Sequence, residues 1–187
     1  MLEVEMKASL AGVSEKALQH ALERTGFLPR QTLREIDIYF NSSTRDFKKT
    51  DEALRLRSCQ DLSCGNAAQV FITYKGPKQD TVSNTRTEYE TAVGSLSAMR
   101  SLLEALGYRA MFTVDKTRRE FALENITLCL DTVEGLGDYL ELELLTEDEA
   151  GREPAVQKLL GLLDTLGVPR EQLTRRSYLE LLYFSQT

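Results

Sequence analysis

Histidine is almost missing from this chain: His20 is the single one. A serine–histidine–aspartate triad or a histidine-rich zinc site would have to be built on that residue, which sits in a helical pattern, so both are set aside. Cysteine is nearly as scarce. Cys59, Cys64 and Cys129 are odd in number and match no zinc or redox spacing, so they are read as reduced thiols. A surplus of positive charge is lacking too. The net charge of −6 argues against a general nucleic-acid or membrane-surface binder, although a local basic cavity for a small anion stays open. No apolar run approaches membrane-spanning length, no basic-then-apolar leader is visible, and no repeat or low-complexity linker divides the chain. The expectation is a cytoplasmic protein with one domain over residues 1–187, large enough for a sizeable core.

What the sequence has in plenty is alternation. Glu3-Val4-Glu5-Met6-Lys7 starts a strand in which Glu3, Glu5 and Lys7 share one face and Val4 and Met6 the other. The same period of two runs through Leu33 to Phe40, Ala53 to Ser58, Val70 to Lys75 and Thr85 to Thr91. It returns in Phe112 to Leu123, Ile126 to Thr132 and Tyr139 to Leu145. Gly76-Pro77 is expected to end its strand, because proline cannot continue a ladder. Helices are predicted between Gly12 and Gly26 (Ser14 as N-cap), over Ser95 to Leu106 and over Glu153 to Leu166. A last short one is predicted from about Arg170 through Phe184.

Connections between these strands are mostly short, which implies antiparallel pairing. Nearly every strand carries one apolar face and one face of acids and bases. Two arrangements fit that pattern. An open sheet could cover its apolar face with helices and show the charged face to water. Alternatively, about eight strands could close into a barrel with helices outside and the charges within, a bore that holds one small ligand. Buried unpaired ions are costly, so a charged interior must be wet and must pair acids with bases. Carboxylates beside lysines and arginines would suit a polyphosphate with a divalent metal, since arginine grips phosphate oxygens in a fork and Mg²⁺ takes carboxylate and phosphate oxygens.

The ordered set of motifs resembles the CYTH superfamily, which joins class IV adenylyl cyclases with thiamine triphosphatases around a triphosphate tunnel. Its signature Glu-x-Glu-x-Lys is here Glu3, Glu5 and Lys7. Further matching positions follow in order: Arg55 and Arg57, Lys75 in Tyr-Lys-Gly-Pro, Arg86 with Glu88, Lys116 and Arg118 in Asp-Lys-Thr-Arg, Asp131, and the Glu141-x-Glu143 strand. Two stretches, Leu130 to Asp138 and Arg176-Ser177-Tyr178-Leu179, look most like the class IV cyclase branch. Met6 and Ala8 depart from the bacterial tripolyphosphatases, which carry arginine and phenylalanine at those places.

The resemblance implies an α+β fold with a closed antiparallel barrel forming a charged tunnel, and Mg²⁺ or Mn²⁺ as cofactor. It implies a metal-facing set of Glu3, Glu5 and Glu141, with Glu143 and Asp131 as further ligands or as groups behind them. Lys7, Arg55, Arg57, Lys75, Arg86, Lys116 and Arg118 would cradle the triphosphate, and Glu3, Glu5 and Lys7 would be catalytic. The implied partner is a small-molecule triphosphate, ATP or tripolyphosphate, with no nucleic acid and no membrane; a homodimer is an open expectation, since the superfamily includes dimers. The implied activity is conversion of ATP to cyclic AMP and pyrophosphate. Hydrolysis of an inorganic, thiamine or nucleoside triphosphate is the alternative, and a non-catalytic polyphosphate or nucleotide binder the second. Glu35, Glu90 and Glu120 are read as structural pairing partners, Asp37 is left unassigned, and Tyr178 is read as core.

Overall fold

The computed structural model describes residues 2–78 and 86–185; of Glu3 it describes the backbone but not the side chain. Nine strands form one sheet: β1 (Leu2–Ser9), β2 (Leu28–Ser42), β3 (Ala53–Asp61), β4 (Gln69–Lys78), β5 (Arg86–Val93), β6 (Tyr108–Leu123), β7 (Ile126–Val133), β8 (Gly137–Thr146) and the two-residue β9 (Leu173–Thr174). Every pairing is antiparallel, in the order β5-β4-β3-β2-β6-β7-β8-β1-β9. The expected closure into a barrel is not what the ladder shows. Pairing runs in a line, and among the described residues no strand pairing joins β5 to β9. With two residues, β9 is too short to carry a second ladder beyond the one it makes with β1.

Four helices complete the chain: α1 (Glu15–Thr25), α2 (Leu96–Ala105), α3 (Arg152–Thr165) and α4 (Tyr178–Ser185). Ser14 and Gly26 cap α1 as their residue types predict. The Ser14 side chain accepts from the Ala17 N–H, and Gly26 ends the helix at a left-handed φ of 88°. The main core lies on the convex face. There Val4 and Ala8 of β1, Leu128 of β7 and Leu140 and Leu142 of β8 pack on Leu18 and Leu22 of α1 and on Leu159 and Leu163 of α3. Ile38, Leu54 and Leu56 pack on Leu103 of α2 in the same way. These three helices lie outside, as expected.

The fourth helix does not. Tyr178 and Leu182 pack with Val114, Val133 and Tyr139, which share strand faces with Lys116, Asp131 and Glu141. Helix α4 therefore covers part of the concave, charged side. The short helix predicted from about Arg170 through Phe184 is also broken: a 3₁₀ turn at Arg170–Gln172 leads into β9, whose residues pair with Lys7 and Ala8, and α4 begins only at Tyr178. One further boundary moved. β4 runs through Gly76-Pro77 to Lys78, because a register shift between Lys75 and Lys78 removes the need for a ladder donor at the proline. The predicted start of β5, Thr85, lies outside the described residues. No helix among them is long and apolar enough to cross a membrane.

Candidate functional site

Strand parity builds the concave wall. With Val4 and Ala8 committed to the convex core, Glu5 and Lys7 must face the other way; Leu54 and Leu56 do the same for Arg55 and Arg57, and Leu140 and Leu142 for Glu141 and Glu143. The result is a cavity of about 570 Å³. All the cations named from sequence line it, namely Lys7, Arg55, Arg57, Lys75, Arg86, Lys116 and Arg118, together with Glu5, Glu141 and Glu143. Asp131 is not on this wall but behind it. The side chain of Glu3 lies outside the described residues. Although the ladder is open, β5 at one end contributes Arg86 and Glu88 while β1, next to the other end, contributes Glu5 and Lys7.

Two groups of ion pairs hold the cations. In the first, Arg118 grips Asp131 through two bonds, Nε to Oδ1 at 2.7 Å and an Nη to Oδ2 at 2.6 Å. Lys116 Nζ adds a bond to Asp131 Oδ2 at 2.9 Å and lies 3.2 Å from Glu35. Arg118 also reaches Glu141, and Lys7 Nζ lies 3.0 Å from the other Glu141 oxygen and 3.5 Å from Glu5. In the second group, Arg57 forks onto Asp37 at 2.6 and 2.7 Å and bonds Glu35 at 2.9 Å. Arg55 sits 3.7 Å from Asp37, donates to Thr73 at 3.2 Å and contacts Glu90 at 3.4 Å. Lys75 donates to Glu88 at 2.6 Å.

These networks let ions exist where water is scarce. Burial alone would protonate Glu141 and Asp131, but Lys7, Arg118 and Lys116 more than offset it and hold Glu141 well below the usual carboxylate range, while Arg118 and Lys116 lower Asp131 against its burial. Asp37 is held down against its burial by Arg57 and Arg55. Lys7 shows the converse: burial favours its neutral form, yet Glu141 and Glu5 raise it above an ordinary lysine. Lys75 goes the other way, lowered by burial and by Arg55, with Glu88 compensating only in part. Among the described residues one buried side-chain donor is left over. The Nε of Arg55 is buried with no hydrogen-bond partner, on a side chain that lines the cavity. A buried N–H left unmade is costly, and a phosphate oxygen is the kind of acceptor a guanidinium takes best.

The carboxylates that could hold a metal are Glu5, Glu141 and Glu143. Glu5 and Glu143 stand opposite each other in the β1–β8 register and are partly open to the cavity, at 24% and 26% side-chain exposure. Among the described residues no three His, Cys, Asp or Glu side chains converge into a ready cage. Two or three carboxylates with the remaining positions left to phosphate and water is nonetheless the donor set a hard divalent cation such as Mg²⁺ takes, so the residues fit it. Asp131, 1% exposed and with both oxygens engaged, has the surroundings of a group behind the ligands.

Two site residues were not recognised from sequence. Asp37 turns out to be the shared anchor of Arg55 and Arg57. Tyr178 does pack, but its hydroxyl also donates to Asp131 at 2.9 Å, and Lys7 and Lys116 lie 4.5 and 5.1 Å from its ring centre. Only its place in the Arg176-Ser177-Tyr178-Leu179 stretch hinted at this. Glu35 and Glu90 are pairing partners, as read; Glu120 accepts from Gln31.

Comparison with known proteins agrees with this geometry. A protein of Methanocaldococcus jannaschii named "Putative adenylate cyclase" is 37% identical over 181 residues, which cover 97% of this chain and 98% of that one. The adenylate cyclase CyaB of Aeromonas hydrophila is 31% identical over 145 residues, 78% of this chain and 70% of that one. Among solved structures, the PH1819 protein of Pyrococcus horikoshii superposes with a TM-score of 0.86 at 37% identity, covering 98% of this chain and 99% of its own. The CYTH domain model matches residues 1–178. With the family's charged strands in place around one cavity and its model matched over nearly the whole length, the chain belongs to the CYTH domain family.

Proposed function

We propose that the cavity is a triphosphate tunnel and that the protein is a divalent-metal-dependent enzyme converting ATP to cyclic AMP and pyrophosphate. The observation that carries this reading is the composition of the wall. Among the described residues, acidic and basic side chains line the cavity in equal number, nine of each. A wall so balanced would hold a bare polyphosphate weakly, but it suits one that arrives with a divalent ion, the ion on the glutamates and the phosphates on the cations. The adenylate cyclase names of the two relatives support the choice of chemistry.

In this reading Glu5, Glu141 and Glu143 hold the ion, and the family resemblance adds Glu3, whose side chain lies outside the described residues. A bound ion would lower the pKa of the attacking ribose hydroxyl and neutralise charge on the leaving pyrophosphate. The chain's own part is positioning and electrostatics. Arg57, fixed by Asp37 and Glu35, and Arg118, fixed by Asp131, present guanidinium groups that need not reorganise when charge develops on the phosphates. Arg55 supplies its unused Nε–H, and Lys7 and Lys116 add point charges. The ribose 3′-oxygen forms a bond to the α-phosphorus as the bond to the bridging oxygen breaks; the hydroxyl proton passes to solvent water and the electron pair of the broken bond leaves with pyrophosphate.

The test is product analysis with ATP and with tripolyphosphate, each with Mg²⁺ and with Mn²⁺. Cyclic AMP and pyrophosphate in equal amounts are expected from ATP. Orthophosphate without cyclic nucleotide would overturn the cyclase in favour of a triphosphatase. No turnover of either compound, with binding retained, would leave a binding module.

A further inference from the structure

The cation-lined cavity stops at one level around its wall. On β3, Arg55 and Arg57 line it, but the next residue on that face, Cys59, does not. On β6 the lining ends at Arg118 and leaves out Glu120, and on β8 it ends at Glu143. What lies past that level is packed side chain. Leu33 stands opposite Arg118 across β2 and β6, and Cys129 opposite Glu141 across β7 and β8, so both point to the concave side. Yet Leu33 is 7% exposed and Cys129 0%, and neither belongs to the apolar clusters that bury the other leucines of the sheet. They fill the bore itself, as side chains do in a narrow curled sheet.

This floor is closed to charge as well as to bulk. Below it Glu120 accepts from Gln31 at 2.6 Å, which ties β6 to β2 across the bore. On β3, β6, β7 and β8 no lysine or arginine faces the concave side past Arg57 and Arg118. A phosphate pushed beyond Arg118 would trade guanidinium partners for a leucine, a thiol and then a carboxylate, which is the burial of an anion without a counter-charge. The opposite end of the cavity is open, with Met111 on its rim at 55% exposure. A chain held on the cations can therefore extend in one direction only.

We propose that the cavity is blind at the Leu33–Cys129 end and takes a phosphate chain only by a free terminus, so that the protein binds ligands ending in an unesterified phosphate and rejects those capped at both ends. The inference rests on the triphosphate reading above and narrows it to uncapped chains. Leu33 sets the limit. An ester group on the terminal phosphate has to overlap its side chain, and a filled site discriminates against added bulk by steric exclusion rather than by any contact with the accepted ligand.

The test is calorimetric binding, with Mg²⁺, of tripolyphosphate, ATP, the γ-methyl ester of ATP and diadenosine tetraphosphate to the full chain. Diadenosine tetraphosphate is esterified at both ends and has the charge of ATP, so the difference between those two reports the cap and not the charge. It is expected to bind about tenfold or more weakly than ATP. Leu33→Ala vacates room for a methyl group, so the ratio of ATP affinity to γ-methyl ester affinity is expected to fall by about fivefold in that variant. A merely structural defect would weaken both ligands alike and leave the ratio where it was. Cys129→Ala is a smaller excision at the same floor, expected to move the ratio the same way, and serves if Leu33→Ala does not fold. If diadenosine tetraphosphate binds as tightly as ATP, or the ester ratio is the same in folded variant and parent, the blind end is overturned while the phosphate cradle stands. If neither ATP nor tripolyphosphate binds, both readings fall.

Discussion

Replacing Asp131 by Asn tests whether the buried ions are organised by this one carboxylate. Its Oδ1 accepts from Arg118, and its Oδ2 accepts from Arg118, Lys116 and Tyr178 at 2.6, 2.9 and 2.9 Å. Asparagine keeps one acceptor oxygen, replaces the other with a donor that faces further donors, and removes the negative charge between two buried cations. Breaking a buried pair by removing one partner costs about 3–5 kcal/mol. Glu141 and Glu35 still hold Arg118 and Lys116, which places the expected loss near the lower end, about 3 kcal/mol. Urea unfolding at pH 7, followed by far-ultraviolet circular dichroism, should show the midpoint falling by about 1.5 M with the slope unchanged, taking a slope near 2 kcal/mol per molar. The pH dependence supplies a second check. The carboxyl of Asp131 is held below its ordinary 3.8, so its stabilisation is complete above that value and is lost as pH falls through the lowered one. The gap between parent and variant should therefore be constant at neutral pH and narrow in acid. A midpoint shift under about 0.5 M, or a gap that widens in acid, would refute the argument.

Glu5→Gln should abolish metal-supported turnover while leaving ATP affinity within a few-fold, as measured by initial rates and calorimetry; equal loss of both would mean that Glu5 serves binding alone. Tyr178→Phe removes one hydrogen bond to a charged partner and should lower urea stability by about 1.5–3 kcal/mol, with most of the packing kept. Lys75 is held below the ordinary lysine value of 10.5, so tripolyphosphate binding should weaken as pH rises toward that value, and Lys75→Arg should move the decline to higher pH in a binding titration.

Much of the sheet could be read from residues because convex-face leucines alternate with ions along each strand, as in Arg55-Leu56-Arg57 and Leu140-Glu141-Leu142. Period two is a local signal and survives any topology. The cations were legible for the same reason: once the leucines point to the core, Arg57 and Lys116 have only the other face left. Tertiary chemistry was not legible. Asp37 and Arg57 are cross-strand neighbours, and Tyr178 meets Asp131 across 47 positions, relations that no periodicity encodes. The tail misled because Leu173 and Thr174 read as part of a helical run until β1 offers them a ladder. Closure is also a global property, set by whether the two edge strands, β5 and β9, meet in a ladder.

That unjoined margin has a mechanical consequence. Where a barrel would have a zipper of amide bonds, this molecule has Arg86 on one bank and Lys7 toward the other, with the cavity between them. A polyanion spanning the two would act as the missing stitch, so loading the protein should slow backbone amide exchange in β5 as well as occupy the site. On that prediction, a bound polyanion would help to complete the vessel that contains it.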